Sequence, residues 1–120
     1  MPQATATPSK AADIVEWAHD RLGLTWEEVG DMLKTTGRTV QRWRDGEAAP
    51  GRTNEARLDA LDEFRFWLRT VFEGDQDAAR EWLDTRLLDL NGKTPLHALR
   101  AGKVAKVTEF LATFHAGAFI

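Results

Sequence analysis

The chain contains no cysteine. That removes disulfides, thiolate nucleophiles and cysteine zinc sites together, and it suits a reducing cytoplasm. It also has no tyrosine, a single serine, Ser9, and only three histidines, His19, His97 and His115, set far apart. No H-x-x-H or H-E-x-x-H spacing and no mixed histidine–carboxylate cluster occurs, so no metal site is expected. Ser9 lies in a Pro/Ala/Thr-rich stretch, residues 1–10, which is expected to be a mobile tail. A nucleophile with a positioned base is therefore missing, and so is a phosphate loop of the G-x-x-x-x-G-K type. The expectation is a protein that is not an enzyme and needs no cofactor. No run of about eighteen apolar residues is present, which argues against a membrane span. The opening MPQATATPSK lacks the apolar segment of a secretory signal, and a cytoplasmic location is expected.

What is present is an ordinary globular composition: 120 residues, 42% hydrophobic and 29% charged. These values exclude a chain disordered throughout and fit one domain, or two very small ones sharing a core. Sixteen basic residues against nineteen acidic give a formal net charge of −3. A broad nucleic-acid-coating surface is thereby disfavoured, while a small basic patch stays possible.

Apolar spacing is helical almost throughout. Ile14, Val15, Ala18 and Leu22 mark one helix face, and Gly23 is a natural terminator. Thr25 with Glu28 forms a capping-box signature that opens a short helix with Trp26, Val29 and Leu33 inward. Thr36 caps a third helix carrying Val40 and Trp43 and ending at Gly46. Pro50 and Gly51 mark a loop. A long helix capped by Thr53 or Asn54 should run to about Glu73, with Leu61, Phe64, Leu68 and Val71 on one stripe, broadened by Trp67 and Phe72. Asp75 or Asp77 begins a shorter helix through Trp82. After the turn-rich LLDLNGKTP, Thr94 caps and Pro95 suits the first position of a helix with Leu96 and Leu99 inward. The last helix, from Lys103 to about Phe114, should bury Val104, Val107, Leu111 and Phe114. Trp26, Trp43, Trp67 and Trp82 fit apolar stripes and are expected in the core; Trp17 lies off its stripe. No segment alternates with period two. The expected fold is all-α.

The first three helices carry the grammar of a DNA-binding helix-turn-helix, in which a short second helix braces a third that enters the major groove. The phrase Trp43-Arg44-Asp45-Gly46, followed by Pro50, resembles the W-x-x-G-x-x-x-P pattern of the Xre/Cro-like family. Between Lys34 and Arg44 lie four basic residues and no acidic one. With Val40 and Trp43 inward, Arg38, Thr39 and Arg42 face outward where base edges are read. Lys34 and Arg44 suit phosphates, Gln41 suits either, and Thr36 sits at the helix start. The bland reading is a solvated basic face. Residues 1–52 hold eight acidic and seven basic side chains, and Glu27, Glu28 and Asp31 oppose phosphate. One copy should bind weakly and in a salt-sensitive manner, so a dimer or larger assembly is expected.

The C-terminal half offers two resemblances. Its T-P-L-H and downstream V-x-x-F-L resemble one ankyrin repeat, but nothing upstream repeats the pattern and such repeats need neighbours to bury their apolar faces. Over residues 20–120 the whole order matches better. An Xre-like start, a long helix and a Trp-containing helix lead into G-x-T-P-x-x-x-L-x-x-G-x-x-x-x-V, carried by Trp82, Gly92, Thr94, Pro95, Leu99, Gly102 and Val107. This resembles the MbcA/ParS/Xre antitoxin family. The resemblance implies a helix-turn-helix over 11–52, a linking helix over 53–74 and a small toxin-binding domain over 75–120. It further implies a type II antitoxin that covers the active site of a cognate RES-domain toxin, itself NAD-consuming or NAD-using. Operator DNA bound for autorepression, and a homodimer or higher hetero-oligomer with the toxin, are implied as well. On the residues, the apolar ending with Gly117, Phe119 and Ile120, the neighbouring Phe114 and His115, and the basic strip of Arg100, Lys103 and Lys106 are the candidate toxin contacts. The rival readings are a stand-alone Xre-type regulator and an ankyrin-like adaptor.

Overall fold

The computed structural model describes residues 9–117. Seven helices follow one another: α1 (Lys10–Arg21), α2 (Trp26–Met32), α3 (Gly37–Arg44), α4 (Arg52–Val71), α5 (Gln76–Leu83), α6 (Pro95–Arg100) and α7 (Val104–His115). Among the described residues no strand forms, and the chain is all-α as its periodicity predicts. Of the expected tail, residues 1–8 lie outside the described residues. Ser9 caps α1 by accepting from the Ala12 amide at 3.1 Å, so the helix begins at Lys10, one residue before the expected boundary at residue 11.

Helix boundaries follow local chemistry closely. Thr25 and Glu28 make the reciprocal capping box, with the Glu28 amide donating to Thr25 Oγ1 at 3.0 Å and the Thr25 amide to Glu28 Oε1 at 2.9 Å. Thr36, Asp75 and Thr94 cap α3, α5 and α6, and Pro95 fills the first position of α6. The long helix α4 starts at Arg52, ahead of the expected caps, and ends at Val71, two residues short of Glu73. Glu73 and Gly74 both take left-handed backbone angles there (φ 53° and 81°), which stops the helix.

Two compact units divide the chain, residues 1–58 and 59–120, and the division falls inside α4. In the first, Ile14, Val15, Ala18, Val29 and Val40 are fully enclosed, with Leu22, Leu24, Leu33 and Trp43 nearly so. Each of the valine, leucine and isoleucine side chains contributes about 1.5–3 kcal/mol of apolar burial. Arg57, in the second turn of α4, donates to the Leu33 carbonyl at 3.4 Å and ties that turn to the end of α2. In the second unit, Leu61, Phe64, Leu83, Leu99, Val107 and Leu111 are buried. The buried Thr108 hydroxyl is satisfied by donating to the Val104 carbonyl at 3.0 Å.

The α2–α3 crossing depends on two glycines. A Cβ on Gly30 would lie 2.6 Å from the Thr36 carbonyl carbon, and one on Gly37 would lie 3.0 Å from the Glu27 nitrogen. Backbone meets backbone here, which leaves room for hydrogen only. The tryptophans depart from expectation: only Trp43 is buried, while Trp26, Trp67 and Trp82 are half-buried. A stripe shows which side of a helix faces inward. It does not show whether a ring of that size can be covered on all sides.

Candidate functional site

The helix-turn-helix face is built on α3. Thr36 Oγ1 accepts from the Thr39 amide at 3.1 Å and donates to Thr39 Oγ1 at 2.9 Å, so both hydroxyls are fixed at the start of the helix. Lys34 stands in the preceding turn with φ 60°. Lys34, Thr36, Arg38 and Arg42 are exposed, and Thr39 and Gln41 are half-buried. Among the described residues, Lys34, Arg38 and Arg42 have no carboxylate partner. Arg44 differs. Its Nε donates to Asp45 Oδ1 at 2.9 Å and its guanidinium lies 4.8 Å from the centre of the Trp26 ring. The hydrogen bond to Asp45, aided by the charges of Asp45 and Glu16, holds Arg44 protonated above its ordinary range.

Trp26 also stacks on His19, with centroids 4.1 Å apart and planes 13° from parallel. The His19 Nδ1–H donates to the Leu24 carbonyl at 2.7 Å, which fixes the ring. Side chains from α1, α2 and α3 thus brace one another at Trp26, and the half-exposed indole has a packing role. The acidic residues of α2 are not all free to oppose phosphate: Glu28 is committed to its cap, while Glu27 and Asp31 are exposed.

The second candidate face lies wholly in residues 59–120. Arg100, Lys103, Lys106 and His115 are exposed, and Gly117 turns the chain with φ 76°. Phe119 and Ile120 lie outside the described residues. Phe114 is 59% exposed, against the expected burial. It continues the stripe of Val104, Val107 and Leu111 into the last turn of α7, where, among the described residues, the stripe leaves the core. Its ring instead borders a small apolar cleft of about 50 Å³, lined also by Val71, Phe72, Trp82, Phe110 and Leu111. Within the cleft Trp82 stands 5.8 Å from Phe72 and 6.3 Å from Phe110. His115 meets the edge of Trp67 at 5.6 Å, and Trp67 meets Phe66 at 5.5 Å.

Sequence reasoning missed Phe66 and Leu88, which are 59% and 93% exposed, and the cleft itself. Phe66 lies off the α4 stripe, which was a usable signal. Leu88 sits in an apolar run and gave none. Among the described residues no group of His, Asp and Glu could hold a metal ion, and no helix is long and apolar enough to cross a membrane.

Residues 67–117 match the family model of the antitoxin Xre/MbcA/ParS C-terminal toxin-binding domain. The T-P-L-H segment that resembles an ankyrin repeat falls inside this match. The chain is 34% identical over 109 residues to the mycobacterial cidal antitoxin MbcA of Mycobacterium tuberculosis and of Mycobacterium bovis, covering 91% of this chain and 95% of each relative. The fold also matches a chain in the crystal structure of the M. tuberculosis MbcT–MbcA toxin–antitoxin complex. There the TM-score is 0.62 at 33% identity, over 91% of this chain and 96% of that one. With family-model match, full-length similarity and fold in agreement, the chain belongs to the Xre/MbcA/ParS family of antitoxins.

Proposed function

We propose that the protein is the antitoxin of a type II pair, that it neutralises a cognate RES-domain, NAD-consuming or NAD-using toxin by covering its active site, and that it represses its own operon through α3. The observation that carries the reading is the coincidence of two features in one unit. The unit of residues 59–120 carries the match to a toxin-binding domain, over residues 67–117, and it holds every large hydrophobic residue exposed among the described residues: Phe66, Leu88 and Phe114. Burying such side chains against a partner would contribute up to about 1.5–3 kcal/mol each. The basic strip of Arg100, Lys103 and Lys106 would meet an acidic rim. Phe114, His115 and Gly117, followed in sequence by Phe119 and Ile120, would enter the cleft that holds NAD.

On DNA, Arg38, Arg42, Thr39 and Gln41 would face base edges, with Lys34 and the Thr36 end of α3 at the backbone. Arg44 would act through its hold on Trp26. The antitoxin works by occupying surfaces, so it needs no cofactor and performs no reaction. Both roles act in a soluble cytoplasmic assembly, a homodimer or a larger complex with the toxin.

Co-expression tests the first role. The full chain should restore growth to cells making the toxin, and a chain lacking Gly117–Ile120 should restore it poorly while unfolding at nearly the same temperature. A truncated chain that rescues fully would remove the ending from the mechanism. A shift assay at fixed salt tests the second role. The wild type should retard its own promoter fragment, and an Arg38/Arg42 double alanine variant should not; equal retardation would remove α3 as the reader.

A further inference from the structure

Leu88 is the most exposed large hydrophobic residue among those described, at 93%, yet it stands on a turn held by its own backbone hydrogen bonds. Residues 87–93 close on themselves. The Leu87 amide donates to the Lys93 carbonyl at 3.0 Å, and the Gly92 amide returns a bond to the Leu87 carbonyl at 2.9 Å. Between them a single 3₁₀ turn, Leu88–Leu90, is bonded from Leu90 to Leu87 and from Asn91 to Leu88. Asn91 and Gly92 take left-handed angles of 57° and 77°, which fold the chain back. The turn sends Leu90 inward, 7% exposed, and Leu88 outward. A polar residue at 88 would serve this turn equally well, because the Leu88 side chain contributes almost nothing to the core.

We infer that Leu88 is a preformed apolar knob that inserts into a leucine-sized pocket on the toxin, forming an anchor distinct from the Phe114–Ile120 ending. This rests on the neutralisation reading above. Three observations favour the toxin as occupant. The knob lies inside the segment matched to a toxin-binding domain. The unit of residues 1–58 exposes no comparable side chain among its described residues, so the feature belongs to the protein-binding half. Exposed charges of both signs, Arg86, Asp89 and Lys93, lie within five residues of the leucine in the chain and would supply the polar rim that surrounds a buried anchor. Because the turn is already bonded, docking orders little new backbone, which favours tight binding by a single side chain.

The test uses the full chain, its Leu88→Asp and Leu88→Ala variants, and purified toxin in calorimetry. Leu88→Asp should weaken binding at least tenfold and Leu88→Ala several-fold, with both variants unfolding within about a degree of wild type, as surface changes do. Light scattering of each chain alone supplies the second measurement, and the association state should not change. Wild-type affinity in the Leu88→Ala variant would overturn the proposal. So would unchanged toxin affinity with reduced self-association, since the pocket would then belong to a second copy. Failure of the wild-type chain itself to bind the toxin would sink the neutralisation reading first.

Discussion

Replacing Gly30 by alanine probes the joint on which α3 is hung. The added methyl would sit 2.6 Å from the Thr36 carbonyl carbon, 2.7 Å from the Gly37 nitrogen and 2.9 Å from the Thr36 oxygen. Ordinary carbon contacts lie at about 3.5–4.0 Å, so α2 and α3 must part by roughly 1 Å. Overpacking of this kind costs about 1–3 kcal/mol, and the atoms struck are backbone, which places the cost at the upper end. Alanine returns about 1 kcal/mol through its better helix propensity. The expected net loss is about 2 kcal/mol. Two controls separate steric push from backbone strain. Gly46 has φ 74° with nothing within 4 Å of a Cβ, so Gly46→Ala should cost about 1–2 kcal/mol without moving a helix. Gly51 has open space and an ordinary backbone angle, and Gly51→Ala should be neutral to within about 0.5 kcal/mol. Denaturant unfolding of the full chains gives the stabilities, and promoter retardation gives the position of α3. Gly30→Ala should lose DNA binding while Gly46→Ala keeps it. If Gly30→Ala is as stable as wild type and binds DNA equally well, the close crossing is not what positions α3.

Other outcomes follow from exposure and from the caps. Leu111, 1% exposed, and Phe114, 59% exposed, both line the cleft, so alanine should cost about 2–5 kcal/mol of stability at Leu111 and well under 1 kcal/mol at Phe114. Toxin affinity should fall in the Phe114 variant despite its intact fold, which calorimetry beside thermal unfolding would show. Single alanine changes at Arg38 or Arg42 should each cost about 1–3 kcal/mol of DNA affinity and relax preference at one base pair, read by a panel of operator variants. Thr25→Ala removes the capping box of α2 and should lower stability by about 1 kcal/mol in denaturant unfolding.

The helix ends were the most legible part of the sequence, because a cap is a local hydrogen bond. Thr25 with Glu28, Thr36, Asp75 and Thr94 with Pro95 each act where their side-chain chemistry predicts. The inward stripes were legible too: Leu61, Phe64, Val107 and Leu111 are all buried. What escaped depends on the meeting of elements distant in sequence. Gly30 reads as a weak helix residue until Thr36 and Gly37 are found against it. Trp26 reads as core until its ring is found half-buried, stacked on His19 and capped by the Arg44 guanidinium. Phe114 keeps the apolar spacing of α7 but stands exposed among the described residues, and Leu88 is turned outward by a 3₁₀ turn that no periodicity encodes. Arg38, Thr39, Gln41 and Arg42 share one short helix, so their common placement was legible in the sequence. Phe66, Leu88 and Phe114 come from three separate segments, and of these the sequence singled out Phe114 alone as a candidate contact.

The central claim is that this chain stops a toxin by occupying it. The most direct measurement is NAD turnover by the purified cognate toxin proposed above, titrated with the purified chain. Turnover should fall in proportion to added antitoxin and reach zero at a fixed molar ratio, while the antitoxin alone leaves NAD intact. Undiminished turnover in the presence of excess folded chain would contradict the account.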